Sequence, residues 1–227
     1  MAQYKLIDLT HVLSSDIPNW EGRPEFNCQV CIDYKQCPRG MPFRVQSMHM
    51  DAGSGTHIDV PAHYIPGGKT VEQIEIENLY SPLVVIDITS QAHEAYSMTV
   101  QDIIDYENRY GQIPEKACVM VYTGWSKKWS DPVAYRNNVM YPAVTVEAAQ
   151  LLLERNITSL GIDTLAPDRP SDGFPVHEVL FEKDKYIIEN VANLDKVPAQ
   201  GAYVMVMPMN VAGATEAAAR VIALLPA

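Results

Sequence analysis

The sequence predicts an α/β fold, and three features predict it. Short runs rich in Val, Ile, Tyr and Met recur: LVVIDI (83–88), ACVMVYTGW (117–125), SLGID (159–163), YIIENV (186–191) and AYVMVMPMNV (202–211). Turn residues bound them, as they bound strands. Helical patterns lie between some of these runs. The runs that follow the helices are nearly continuous in apolar residues, as parallel or fully buried strands are.

The first third of the chain is irregular and rich in proline. Within it, residues 53–59 read as extended. After the run at 83–88, a helix is expected over 99–111, opened by a capping Thr99 and closed at Gly111. A second helix over 145–156 has the same plan, with Thr145 as cap and Asn156 as stop. The C-terminal EAAARVIALLPA has the propensity of a helix. Its VIALL would serve equally as a buried strand, and the residues leave both open. No repeat or linker stands out, and the length fits a single domain over 1–227.

Composition excludes several function classes. Hydrophobic residues make up 47% and charged residues 20%, the balance of an ordinary globular protein. A net charge of −11 argues against a nucleic-acid partner, because phosphate binding needs clustered Lys and Arg. No segment approaches the roughly 18 consecutive apolar residues of a membrane-spanning helix. The N-terminal MAQYKLIDLTHVL lacks the basic-then-apolar plan of a signal peptide, so a cytoplasmic location is expected. Cys28, Cys31, Cys37 and Cys118 are then expected to be reduced. The C-x-x-C at 28–31 has no second pair to complete a zinc ribbon.

Two clusters carry chemistry. GSGTHIDVPAHY (53–64) places two of six histidines beside an aspartate. In an extended segment Gly53, Gly55, His57 and Asp59 share one face, so His57 and Asp59 can reach one divalent cation. The two oxygens of Asp59 could bridge two ions. Pro61 ends the strand or places it at an edge, and His63 follows as a further ligand or a mobile proton carrier. A nucleophilic Ser54 is disfavoured because GSGT does not match the G-x-S-x-G elbow. The second cluster, in DGFPVHEVLFEKDKYIIENVANLD, contains His177 and Glu189. A glutamate on an apolar strand face needs a partner, either a basic side chain or a metal. Glu178 is expected to face solvent in a helical turn after Pro175. His11, His93, Asp163 and Asp168 read as structural or solvated positions.

Together the clusters resemble the cyclase family of metal-dependent hydrolases. The family pattern H-x-G-T-H-x-D-x-P-x-H corresponds to GSGTHIDVPAH. LIDLTHVLSSDIPNWEG, VYTGWSKKW, LGIDT, the H-E-V-L and IIENVANLD segments, and AYVMVMPMNVAGATEAAARVIAL are similar to the rest of the family's sequence. The resemblance implies a mixed, barrel-like β-sheet with flanking helices and an extended C-terminal segment. It implies His57, Asp59, His177 and Glu189 as metal ligands, His63 as the catalytic acid/base, and Trp20 as an aromatic of the substrate pocket. It further implies assembly into a homodimer or homotetramer. The nitrogen and oxygen donors suit Zn²⁺ or Mn²⁺, and the lack of thiolate argues against a softer metal. The expected reaction is attack by a metal-activated water on the amide, formamide or lactone carbonyl of a small, cyclic or aromatic substrate.

One position departs from the pattern: its first histidine is Gly53 here. A mononuclear site, a substitute ligand such as His49 or Asp51, or a degraded site would each follow. The mononuclear or otherwise modified site is favoured because the other ligand positions and His63 remain. The rival class is a small-molecule binding protein with a non-catalytic metal site.

Overall fold

The computed structural model describes residues 4–23, 26–37 and 41–226. Its centre is a closed, seven-stranded mixed barrel. The strands in chain order are β1 (Tyr4–Asp8), β2 (Asn27–Ile32), β3 (Val45–His49), β4 (His57–Asp59), β5 (Tyr80–Asp87) and β6 (Ser97–Met98), followed by β7 (Cys118–Tyr122), β8 (Ala143–Val144), β9 (Ser159–Ile162), β10 (Tyr186–Glu189), β11 (Ala202–Pro208) and β12 (Glu216–Pro226). The helices are α1 (Val100–Tyr110), α2 (Pro132–Arg136), α3 (Val146–Glu154) and α4 (Pro175–Phe181). The barrel runs β12-β11-β5-β7-β9-β10-β4 and closes through a β4–β12 pairing. The segment β5-β7-β9-β10 is parallel, and the remaining barrel pairings are antiparallel.

Parallel neighbours need crossovers. Helices α1, α3 and α4 supply them after β5, β7 and β9 respectively. Thr99 and Asp102 form a capping box that starts α1, and Gly111 ends it at φ +93°. Thr145 Oγ1 accepts from Ala148 N–H at the start of α3. That helix ends at Glu154, and Asn156 turns the chain left-handed at φ +55° one residue past the Arg155 cap.

The alternation along each strand separates two cores. Ile58, Leu83, Val85, Met120, Ile188, Val204, Val206 and Val221 point into the barrel. Val84, Ile86, Val119, Val121, Leu160, Ile162 and Ile187 point outward and meet Ile103, Leu152, Leu180 and Phe181 of the helices. A third cluster of Trp125, Tyr135, Tyr141, Leu165 and Ala166 packs with Trp20 and Trp129.

The C-terminal segment is a strand throughout, as the family resemblance implies and against its helix propensity. The period-two pattern explains the outcome. Ala217, Ala219, Val221 and Ala223 fill the barrel interior from β12 with small side chains. One edge of β12 bonds β11; the other holds β4 at its start and β1 at its end. A helix here would leave three strand edges unpaired and the barrel open. Outside the barrel, β2 and β3 form an antiparallel ribbon whose residues are almost all exposed. Among the described residues no helix is long and apolar enough to cross a membrane.

Ile188 is fully buried inside the barrel, one residue from the end of β10. Ile188→Ala is expected to destabilise the fold by about 2–5 kcal/mol, read as a lowered urea midpoint with an unchanged slope.

Candidate metal centre and active site

The shortest strand of the barrel, β4, organises the site. Its register sets Glu189 of β10 opposite His57 on one side and Glu216 of β12 opposite Asp59 on the other. Residues directly opposite on antiparallel strands share a face, with Cβ atoms about 5 Å apart. Ile58 points into the barrel, so His57, Asp59, Glu189 and Glu216 face outward together. Helix α4 lays His177 over the same face.

The polar atoms converge tightly. His57 Nε2 lies 3.2 Å from Asp59 Oδ1 and 3.4 Å from Glu189 Oε2. His177 Nε2 lies 3.5 Å from Asp59 Oδ2 and 3.4 Å from Glu189 Oε1. His57, Asp59, His177 and Glu189 are each 3–5% exposed. Their donor atoms form two overlapping groups compact enough for a cation: Asp59, His177 and Glu189, and His57, Asp59 and Glu216.

Hydrogen bonds behind the cluster fix which nitrogen faces it. His57 Nδ1 donates to Gly55 O at 2.9 Å, and His177 Nδ1 donates to Asp168 Oδ2 at 2.8 Å. Each Nε2 of a neutral imidazole therefore presents its lone pair to the carboxylates. Second partners of this kind orient metal-binding histidines. Gly55 O also accepts from Asn190 Nδ2, and Asn190 Oδ1 accepts from Tyr135 Oη at 2.9 Å. Asp168 is nearly fully buried and also accepts from the backbone N–H groups of Val176 and His177, tying it to the first turn of α4.

In the protein alone the buried acids and imidazoles stabilise one another's charge. Burial disfavours charge on His57, but the Asp59 charge and the close carboxylates of Asp59 and Glu189 outweigh it and raise the His57 pKa well above its ordinary value. His177 is raised in the same way: burial opposes charge, and the bond to Asp168 with the close carboxylates of Asp59 and Glu189 wins. Burial opposes the Asp59 charge too, yet the charge of His57 and the histidine bonds hold its pKa below the usual range. Asp59 Oδ1 and Glu189 Oε1 are buried without a hydrogen-bond partner. Buried orphan oxygens are costly, and a divalent cation among these donors would satisfy them. The residues present therefore fit a resident metal ion.

The cluster floors a cavity of about 450 Å³. Trp20, Tyr64 and Phe174 give it aromatic walls, and His63 also lines it. Tyr64 stacks on His177 with ring centroids 5.0 Å apart. Phe174 holds φ +62° and ψ +39° directly before Pro175. That left-handed backbone is unusual for a bulky side chain. His63 sits in the turn Pro61–His63 that ends β4, with Nδ1 3.5 Å from Glu216 Oε2.

The structure brings together His57, Asp59, His177 and Glu189, and sets His63 and Trp20 on the same cavity. One expectation needs correction. Residues 53–59 are not one strand: β4 begins at His57, and Gly55 turns left-handed at φ +70°. A side chain at that φ would be strained whatever the space around it, so the bend favours glycine. Gly53 still faces the site, through the turn rather than through strand parity. His49 lies on the exposed ribbon, and Asp51 is exposed and lines the cavity; neither joins a metal-binding group among the described residues. Glu178 and His93 are exposed. His11 stacks on Trp129 at 3.8 Å outside the cavity, and burial pushes its pKa down to about 4. Ser54 is fully buried. Asp163 is buried too and accepts from Thr123 and Ser126.

Asn190, Tyr64, Phe174 and Glu216 escaped the sequence reading, and Asp168, read there as a structural position, is the group that holds His177. Tyr64 carried a signal, since it adjoins His63. Phe174 and Asn190 adjoin the second cluster, whereas Glu216 reaches the site only through the β4–β12 pairing and leaves no local pattern.

The chain belongs to the cyclase family: the family model described as "Putative cyclase" matches residues 7–169. It is 28% identical over 245 residues to the isatin hydrolase of Roseibium aggregatum, covering 99% of this chain and 93% of that protein. It is 26% identical over 210 residues to the kynurenine formamidase of Bacillus anthracis, covering 91% and 90%. Among solved structures, isatin hydrolase A from Labrenzia aggregata bound to benzyl benzoate superposes with a TM-score of 0.89 at 31% identity, covering 99% of this chain and 94% of that one. A predicted metal-dependent hydrolase from Bacillus stearothermophilus superposes with a TM-score of 0.78 at 26% identity, covering 98% and 99%.

Asp168→Asn keeps the shape but removes the charge behind His177. It is expected to weaken divalent-ion binding about 10–100-fold, measured by competition with a chromophoric chelator.

Proposed function

We propose that this protein is a metal-dependent hydrolase that opens the amide, formamide or lactone carbonyl of a small, flat, cyclic or aromatic substrate. The observation that carries the reading is the donor cluster with its two orphaned buried oxygens at the floor of an aromatic-walled cavity. The relatives named as hydrolases support it.

His57, Asp59, His177 and Glu189 would hold the ion, which is Zn²⁺ or Mn²⁺ on this donor set. Such an ion, when bound, supplies Lewis acidity and a water acidified toward neutrality. The protein's own groups do the rest. Asp168 and Gly55 O keep the two imidazoles in the binding tautomer. Trp20, Tyr64 and Phe174 would sandwich a flat ring and exclude bulk water from its carbonyl. His63 would take a proton from the attacking water and pass it to the leaving nitrogen or oxygen. Its Nδ1 is turned to Glu216, which leaves Nε2 as the nitrogen for that transfer.

The same reading makes the chain one functional domain, cytoplasmic, working as a homodimer or homotetramer. The exposed apolar residues of the β2–β3 region, Val30, Met41, Phe43, Val45 and Met48, support assembly, since an isolated two-stranded ribbon is marginal in water. Gly53 favours the second reading, a binding protein with a non-catalytic metal site. A panel of formamides, cyclic amides and lactones separates the two readings: turnover of none, with metal bound, leaves the binding protein.

With a hydrolysed substrate in hand, His63→Ala should lower kcat by about 10²–10⁴-fold with metal content unchanged. Retained turnover would remove His63 from the chemistry. Glu189→Ala should instead lose metal, checked by elemental analysis, and chelation should abolish activity until Zn²⁺ or Mn²⁺ is restored.

A further inference from the structure

The family pattern has a histidine where this chain has Gly53, and the structure shows what occupies the vacated space. A Cβ built on Gly53 would fall well inside contact distance of Glu216 Oε1. The same point lies 3.2 Å from His57 Nε2. A side chain at 53 would therefore require the Glu216 carboxylate to swing from its observed place, beside the nitrogen that His57 offers to the cluster.

We infer that Glu216 is a metal ligand of this protein, standing in for the missing histidine in a cation position formed with His57 and Asp59. This rests on the metal-hydrolase reading above and deepens it. Three independent observations carry it. The β4–β12 register places Glu216 directly opposite Asp59, on the outward face. The donor atoms of His57, Asp59 and Glu216 all lie within 4.8 Å of one another. Asp59 Oδ1, the oxygen nearer His57, is buried and has no hydrogen-bond partner, so an acceptor already waits there for a cation.

The replacement restores a donor but changes its kind. A carboxylate oxygen replaces an imidazole nitrogen, so the position gains a negative charge and becomes a harder ligand set. That favours Mn²⁺ relative to Zn²⁺ more than the histidine version would. The two oxygens of Glu216 also divide their roles. Oε1 fills the space over Gly53, and Oε2 lies 3.5 Å from His63 Nδ1. Glu216 thus joins the proposed proton carrier to the metal position.

Because Glu216 touches His63, activity cannot separate a ligand from a group that only positions that histidine. Metal binding can. The experiment is calorimetric titration of chelator-stripped protein with Mn²⁺ and, separately, Zn²⁺, with elemental analysis of the saturated forms. Glu216→Ala and the near-isosteric Glu216→Gln should each lose one Mn²⁺ per chain or bind it at least tenfold more weakly. Gly53→His alone should also weaken Mn²⁺, because the new side chain displaces the carboxylate. The double variant Gly53→His/Glu216→Gly should recover the ion and raise the ratio of Zn²⁺ to Mn²⁺ affinity above that of the unaltered protein. Unchanged stoichiometry and affinity in both Glu216 variants would overturn the inference and leave the hydrolase reading standing. Failure of the unaltered protein to bind either ion would overturn both.

Discussion

The structure turns on one constraint: two carboxylates and two imidazoles are buried face to face on the outside of a barrel. Burying a charge without a partner is far more costly than any single apolar contact can offset. Every neighbouring element manages that cost. Strand β4 is three residues long, and the strands on both its flanks contribute acids to its outer face. Closing the sheet at this strand, rather than leaving β4 an edge, places β10 and β12 on either side of it. Closure of the barrel thus brings His57, Asp59, Glu189 and Glu216 together, and α4 adds His177.

A second layer holds the donors rigid. The left-handed Gly55 turns its carbonyl to receive both His57 and Asn190. Thr56 Oγ1 donates to Asn190 O and accepts from His11 N–H, pinning the N-terminal segment to the end of β10. Asp168 couples the orientation of His177 to the start of α4. The Gly-Thr-His-x-Asp segment therefore contains a hinge, a clamp and two donors in consecutive use. Its glycine and threonine act through geometry, its histidine and aspartate through charge.

Much of this was legible in the sequence. The apolar runs became β5, β7, β9, β10 and β11, and both expected helices begin at the threonines that cap them. These features are local: a cap, a stop or a β-branched run declares itself within a few residues. The C-terminal strand was not legible from propensity, because its conformation is decided by β1, β4 and β11, from opposite ends of the chain. The same reason hid half of the site. His57 and Asp59 are two residues apart and could be paired by inspection. The pairing of His177 with Asp168, of His57 with Glu189, and of Asp59 with Glu216 depends on register and on crossovers. The straight strand expected over 53–59 failed at Gly55, where the backbone turns left-handed at φ +70°, a conformation glycine adopts without penalty.

Read position by position, Gly53 looks like a loss, since a glycine supplies no ligand. In three dimensions it leaves Glu216 its observed place at the cluster, because a larger side chain at 53 would require the carboxylate to shift. The two residues are 163 positions apart and are linked by one strand pairing. A metal position is a volume with a charge requirement, and any donor that enters the volume from any strand can meet it. Conversely, a donor introduced at 53 while Glu216 stays would give two donors for one place, which is worse than either alone. The departure from the family pattern and the acid on the neighbouring strand are therefore one feature of this site.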